Sequence, residues 1–112
     1  MLKRFIILLA VLTGFFLAHA HPVISAENSL MGKFTFNWYV EPSKTRCARI
    51  GHALMAKLSS AKFHCDFTPH TNTASGAAAS LCSSTDGNSE YMIFSTLAAC
   101  ENEHETQAAN EE

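Results

Sequence analysis

The chain has 112 residues, of which 47% are hydrophobic and 16% charged, with a formal net charge of −2 at pH 7. Such a length holds one domain and is too short for two. The acidic balance speaks against nucleic acid or an anionic membrane surface as partner, since either needs a basic footprint.

The first twenty residues differ sharply from the rest. Lys3 and Arg4 make a short basic start, and Phe5 to Leu17 is an apolar run broken only by Thr13 and Gly14. Ala18-His19-Ala20 then supplies small residues where a signal peptidase reads, completing the layout of a secretory signal peptide. The run spans 13 residues, short of the roughly 20 that cross a bilayer. Residues 1–20 are therefore expected to be a cleaved signal, with cleavage after Ala26 as the alternative and no stable membrane anchor afterwards. Loss of Lys3 and Arg4 leaves a mature chain of 92 residues with a net charge of −4.

Residues 21–32 show no period and read as a flexible lead-in to a domain spanning 33–109, with 110–112 as an acidic tail. Lys33 to Glu41 alternates cleanly. Phe34, Phe36, Trp38 and Val40 fall on one face and Thr35, Asn37 and Tyr39 on the other, which predicts a half-buried strand. Pro42 stops it, and Ser43 is placed to cap a helix running to about Ser59. Cys47, Ile50, Gly51, Leu54 and Leu58 form that helix's apolar stripe. Gly51 within it is unfavourable by roughly 1 kcal/mol relative to alanine, which implies close approach to the sheet.

Lys62 to Thr68 alternates again, with Phe63, Cys65 and Phe67 on one face, and Pro69 to Gly76 reads as a loop. Ala77 to Ser84 is Ala-rich and compatible with a helix. Yet Asp86-Gly87 separates it from the apolar run Tyr91 to Phe94, and this pattern predicts a hairpin. Ser95 and Thr96 can cap a last helix from Leu97 to about Ala109, whose apolar stripe is thin. The expected fold is a small α+β domain of order β-α-β-β-β-α, with a mostly antiparallel sheet and helices on one face.

Cys47, Cys65, Cys82 and Cys100 all follow the signal, separated by 17, 16 and 17 intervening residues. An even number in a short exported chain reads as two disulfides, whereas zinc sites need close pairs. Three pairings are possible. Neighbouring strands would bring Cys65 to Cys82, and Cys47 and Cys100, each four residues after a capping hydroxyl, would then pair. Lys44, Arg46, Arg49 and Lys57 on one segment and Glu101, Glu103 and Glu105 on the other agree with that adjacency.

Few patterns carry chemistry. Paired cysteines cannot act as nucleophiles, and Ser59-Ser60-Ala61-Lys62 matches S-x-x-K without the large scaffold that motif needs. No catalytic set is identified and no cofactor is called for. His64, Asp66 and His70 could ligate a metal. Cleavage after Ala20 would expose His21, whose amine and imidazole would suit copper. The reading that emerges is an exported, non-enzymatic module binding a protein partner, of the inhibitor, immunity or envelope-assembly type. Its expected location is the periplasm or exterior of a bacterial cell. Thr35, Asn37, Tyr39 and His70 are its candidate contact residues; a periplasmic copper protein using His21 is the alternative.

Overall fold

A computed structural model describes residues 30–111 of the chain. The signal segment, both cleavage positions and His21 lie outside the described residues.

Among the described residues, five strands and two α-helices follow in order: β1 (Phe34–Asn37), β2 (Ala48–Arg49), α1 (His52–Leu58), β3 (Phe63–His70), β4 (Ala79–Ser84), β5 (Glu90–Phe94) and α2 (Leu97–Asn110). The strands form one antiparallel sheet in the order β2-β1-β5-β4-β3. The α+β class, the order of the main elements and the antiparallel sheet match the expectation from sequence, with β2 as a two-residue addition. Both expected disulfides form, Cys47–Cys100 and Cys65–Cys82. Cys65 and Cys82 are direct register partners on β3 and β4. Stable disulfides belong to an oxidising compartment. Among the described residues, no helix is long and apolar enough to cross a membrane.

The central strand β5 explains the layering. Met92, Ile93 and Phe94 are consecutive and all buried, which in a pleated strand requires cover on both faces. Ile93 joins Leu30, Ile50, Leu58 and Cys82 on one face, where Leu54 and Met55 of α1 pack. Met92 and Phe94 join Phe36, Ala79 and Cys100 on the other, beneath α2. One helix therefore covers each face, and the expectation of both helices on one face is corrected. A helix of seven residues over one side leaves the second apolar face open, and α2 is the element free to close it.

The same two-sidedness breaks the helix expected from Ser43 to Ser59. Cys47 packs with the α2 cluster, whereas Ile50 and Leu58 belong to the α1 cluster. Between them the chain must pass around the edge of the sheet, a path no continuous helix takes. It does so as a short 3-10 turn at Pro42–Lys44, then as β2 hydrogen-bonded to β1. Ser43 lies inside that turn, and Gly51 is the N-cap of α1, with nothing near where a Cβ would stand. Gly51 thus marks a helix start, not a close approach.

Packing also begins earlier than residue 33. Leu30 is only 2% exposed, and the backbone N–H of Gly32 donates to the Ile50 carbonyl at 3.0 Å. The β4–β5 hairpin does turn at Asp86-Gly87. Gly87 holds φ of +78°, a conformation that glycine adopts without strain. The Asp86 carboxylate accepts from Ser84 Oγ at 2.6 Å and from the Asn88 backbone N–H at 2.9 Å, closing the turn.

Candidate functional site

The helix α2 has almost no apolar side to bury, and its docking relies on covalent and polar contacts. Thr96 caps it by accepting the Ala99 N–H at 3.1 Å. Cys100 tethers its first turn to Cys47. One turn on, His104 donates from Nε2 toward the carbonyls of Pro42 and Thr45 at 2.9 and 2.8 Å. Its ring meets Phe36 edge-on at 5.1 Å. Beside it, Glu103 is 0% exposed. Its carboxylate accepts from Ala74 N at 3.1 Å, Ser75 N at 2.8 Å, Ser75 Oγ at 2.6 Å and Gln107 Nε2 at 2.7 Å. Burial pushes the Glu103 pKa up, but these hydrogen bonds outweigh it and hold the carboxyl below its ordinary range.

From sequence, Glu103 with Glu101 and Glu105 served only to indicate adjacency to the basic segment at 44–57. Among the described residues, no lysine or arginine forms an ion pair with Glu101, Glu103 or Glu105; Lys44 pairs with its near neighbour Glu41 at 3.5 Å. Adjacency of the two segments holds, through the disulfide and His104. The signal for Glu103 was its position: it shares a face with Cys100, His104 and Gln107. What it binds lies 28 and 29 residues away on backbone amides, which carry no sequence signature.

Beyond Met92, α2 ends without covering the outer half of its face of the sheet. A cleft of about 530 Å³ remains there, floored by Ala79, Leu81 and Met92 and bounded by Trp38, Glu90 and the C-terminal end of α2. The loop after β3 forms another wall, held in place by Glu103.

Trp38 stands at the rim of this cleft because β1 ends one residue earlier. The tight turn Asn37–Val40 closes with the Val40 N–H on the Asn37 carbonyl at 3.2 Å. The Asn37 side-chain oxygen accepts from Tyr39 N at 3.1 Å and from Glu90 N at 3.2 Å. Trp38 Nε1 donates to Glu90 Oε1 at 2.9 Å, and Ser83 Oγ donates to the other carboxylate oxygen. The turn therefore displays Trp38, Tyr39 and Val40 at 39%, 49% and 36% exposure. Trp38 was expected in the core with Phe34 and Phe36. It does point to their face, but past the edge of α2.

The candidate contact residues are separated by this geometry. Thr35 is 1% exposed, with Oγ1 donating to the Met92 carbonyl at 2.6 Å, so it offers nothing to a partner. Asn37 is occupied in holding the turn. Tyr39 is exposed against Trp38, with ring centroids 5.0 Å apart. His70 lines the cleft. Of the proposed metal ligands, Asp66 and His70 meet at 2.9 Å across an irregularity in β3. His64 lies two residues up the strand from Asp66, roughly 6.6 Å of rise away. Among the described residues no group of three is arranged to hold a metal ion. The Asp66 pKa is lowered, first by the His70 hydrogen bond and then by the Thr68 N–H.

Comparison with protein-family models, curated proteins and solved structures finds no match for this chain.

Proposed function

We propose that the chain is an exported, non-enzymatic module that binds a protein partner in the periplasm or outside a bacterial cell. Its contact surface is the Trp38–Val40 turn with the adjoining cleft. One observation carries this reading: three consecutive large apolar residues are exposed on a turn that side-chain hydrogen bonds make rigid. Rigid aromatic anchors beside a pocket are the usual centre of a protein interface, because little conformational freedom is lost when they are covered. Two disulfides fit an extracytoplasmic location, and the basic-apolar-small layout of residues 1–20 fits a route there.

The test compares oxidised protein with a W38A/Y39A double variant, each immobilised and exposed to native envelope extract. Wild type should retain a partner that then binds stoichiometrically when purified, and the variant should lose it with both disulfides and its thermal transition intact. Identical capture by both proteins, or no capture by either, would sink the reading.

A further inference from the structure

The cleft beside Trp38 has a chemical bias that the contact surface alone does not explain. Its lining includes the carboxylates of Glu90, Glu103 and Glu111 but no lysine or arginine. Asp66 adds a fourth carboxylate through its hydrogen bond to His70, which also lines the cleft. The C-terminal end of α2 opens onto the same space through Asn110 and Glu111, and its last turn holds no basic residue. A helix C-terminus carries a partial negative charge, and here nothing in its own last turn offsets it.

Glu90 is the group best placed to use that potential. Both of its oxygens are fixed, one by Trp38 Nε1 and one by Ser83 Oγ, yet a carboxylate has about four acceptor positions in all. It is therefore a preorganised acceptor with capacity left, on a residue that lines the cleft. The indole of Trp38 meets the same carboxylate with its N–H edge and lines the cleft, and Leu81, Met92 and Ala79 supply an apolar floor. An anion would meet repulsion here. An uncharged apolar group would strip water from Glu90 and return no hydrogen bond. A planar cation on an aliphatic stem answers all three features at once: the fork for the carboxylate, the face for the indole, the methylenes for the floor.

We propose that this cleft receives an arginine side chain of the protein partner. The proposal rests on the reading of this surface as the partner-contact site, and it names the residue that enters.

The experiment uses oxidised full-length protein and three five-residue peptides, blocked at both ends, identical except for a central arginine, lysine or citrulline. Citrulline keeps the shape of arginine and removes its charge. Trp38 is the single tryptophan, so its indole N–H resonance reports directly on the cleft. The arginine peptide should shift that resonance saturably in the low millimolar range, with the lysine peptide weaker and the citrulline peptide weaker still by about tenfold or more. E90Q should weaken the arginine peptide by about tenfold while the citrulline peptide is unchanged. Equal binding of arginine and citrulline, or no saturable shift up to saturation of peptide solubility, overturns the proposal. Since the comparison of peptides on wild-type protein stands alone, it decides even where E90Q folds poorly. Capture of a partner that depends on Trp38 and Tyr39, without arginine selectivity, would keep the binding surface and discard the arginine. Arginine selectivity without any captured partner would keep the cleft's chemistry and discard the protein-binding reading.

Discussion

Ser75 is bound to Glu103 twice through the same carboxylate oxygen, by its hydroxyl at 2.6 Å and by its backbone N–H at 2.8 Å. With Ala74 N–H and Gln107 on the other oxygen, a buried charge on α2 organises the loop that walls the cleft. Buried charges are stabilising only when so fully bonded, and removing the acceptor leaves donors stranded. Glu103→Ala should therefore destabilise the domain by about 2–3 kcal/mol. Glu103→Gln should cost less in shape but turn an amide N–H toward a donor. Hydrogen exchange checks the locality: the Ala74 and Ser75 amides should lose protection well before those of β5. Uniform loss across the sheet would count against a local latch.

The same carboxyl gives the fold an acid limit. Burial works to raise the Glu103 pKa, but the bonds from Ser75, Gln107 and Ala74 leave it below 4.5, its value in an unfolded chain. The unfolded state then takes up the proton first, so stability is fully present above that value and is lost as pH falls through the lower folded value. Asp66, through His70 and Thr68, and Asp86, through Ser84 and Asn88, are lowered from 3.8 and act in the same direction at the surface. Urea midpoints should fall as pH is taken from about 5 toward 2.5, with the loss beginning as pH enters the unfolded carboxylate range. Glu103→Gln should show a shallower acid limb than wild type. Parallel limbs would remove Glu103 from the account.

How much of this was legible follows from what each residue answers to. The strand at Phe34–Asn37 and the turn at Asp86-Gly87 are local, and both appear where the sequence places them. The cap at Thr96 and the pairing of Cys65 with Cys82 are nearly so, since each needs only one neighbouring element. The segment from Ser43 to Ser59 fails because its apolar spacing serves two opposite faces of the sheet. Cys47, Ile50 and Leu58 match a helical stripe in one dimension, but Cys47 is drawn to Cys100 beneath α2. Thr35 fails for a related reason: a polar residue on the supposed solvent face is covered by α1's side of the core. Trp38 projects to the expected face, but β1 ends before it and it stands half-exposed in the turn that follows.

Thr35 yields a prediction that separates packing from binding. Its hydroxyl donates to the Met92 carbonyl at 2.6 Å within a buried site. Thr35→Val keeps the shape and removes that hydrogen bond, which should destabilise by about 1 kcal/mol. Partner capture and the response to arginine peptide should be unchanged, because no part of this residue reaches the surface. Loss of binding with an unchanged unfolding midpoint would return Thr35 to the contact surface.

The two disulfides should contribute unequally. Cys47–Cys100 closes 53 residues of sequence and Cys65–Cys82 closes 17. Loop-closure entropy assigns these about 4 and about 3 kcal/mol respectively. Against a total of about 5–15 kcal/mol for a domain, either loss is large. The local settings widen the gap. Cys65 and Cys82 lie on strands already paired in register, so β3 and β4 have a ladder to hold them without the sulfur bridge. The helix α2 has the contacts of Glu103 and His104 and a thin apolar stripe to replace its tether, and those require it to be docked first. Cys47→Ala with Cys100→Ala should therefore lower the urea midpoint more than Cys65→Ala with Cys82→Ala. It should also remove the cleft wall that α2 supplies beside Trp38, visible as a change in tryptophan emission. A larger loss from the Cys65–Cys82 pair would show that the β3–β4 ladder, and not the docking of α2, is the weaker part of the fold.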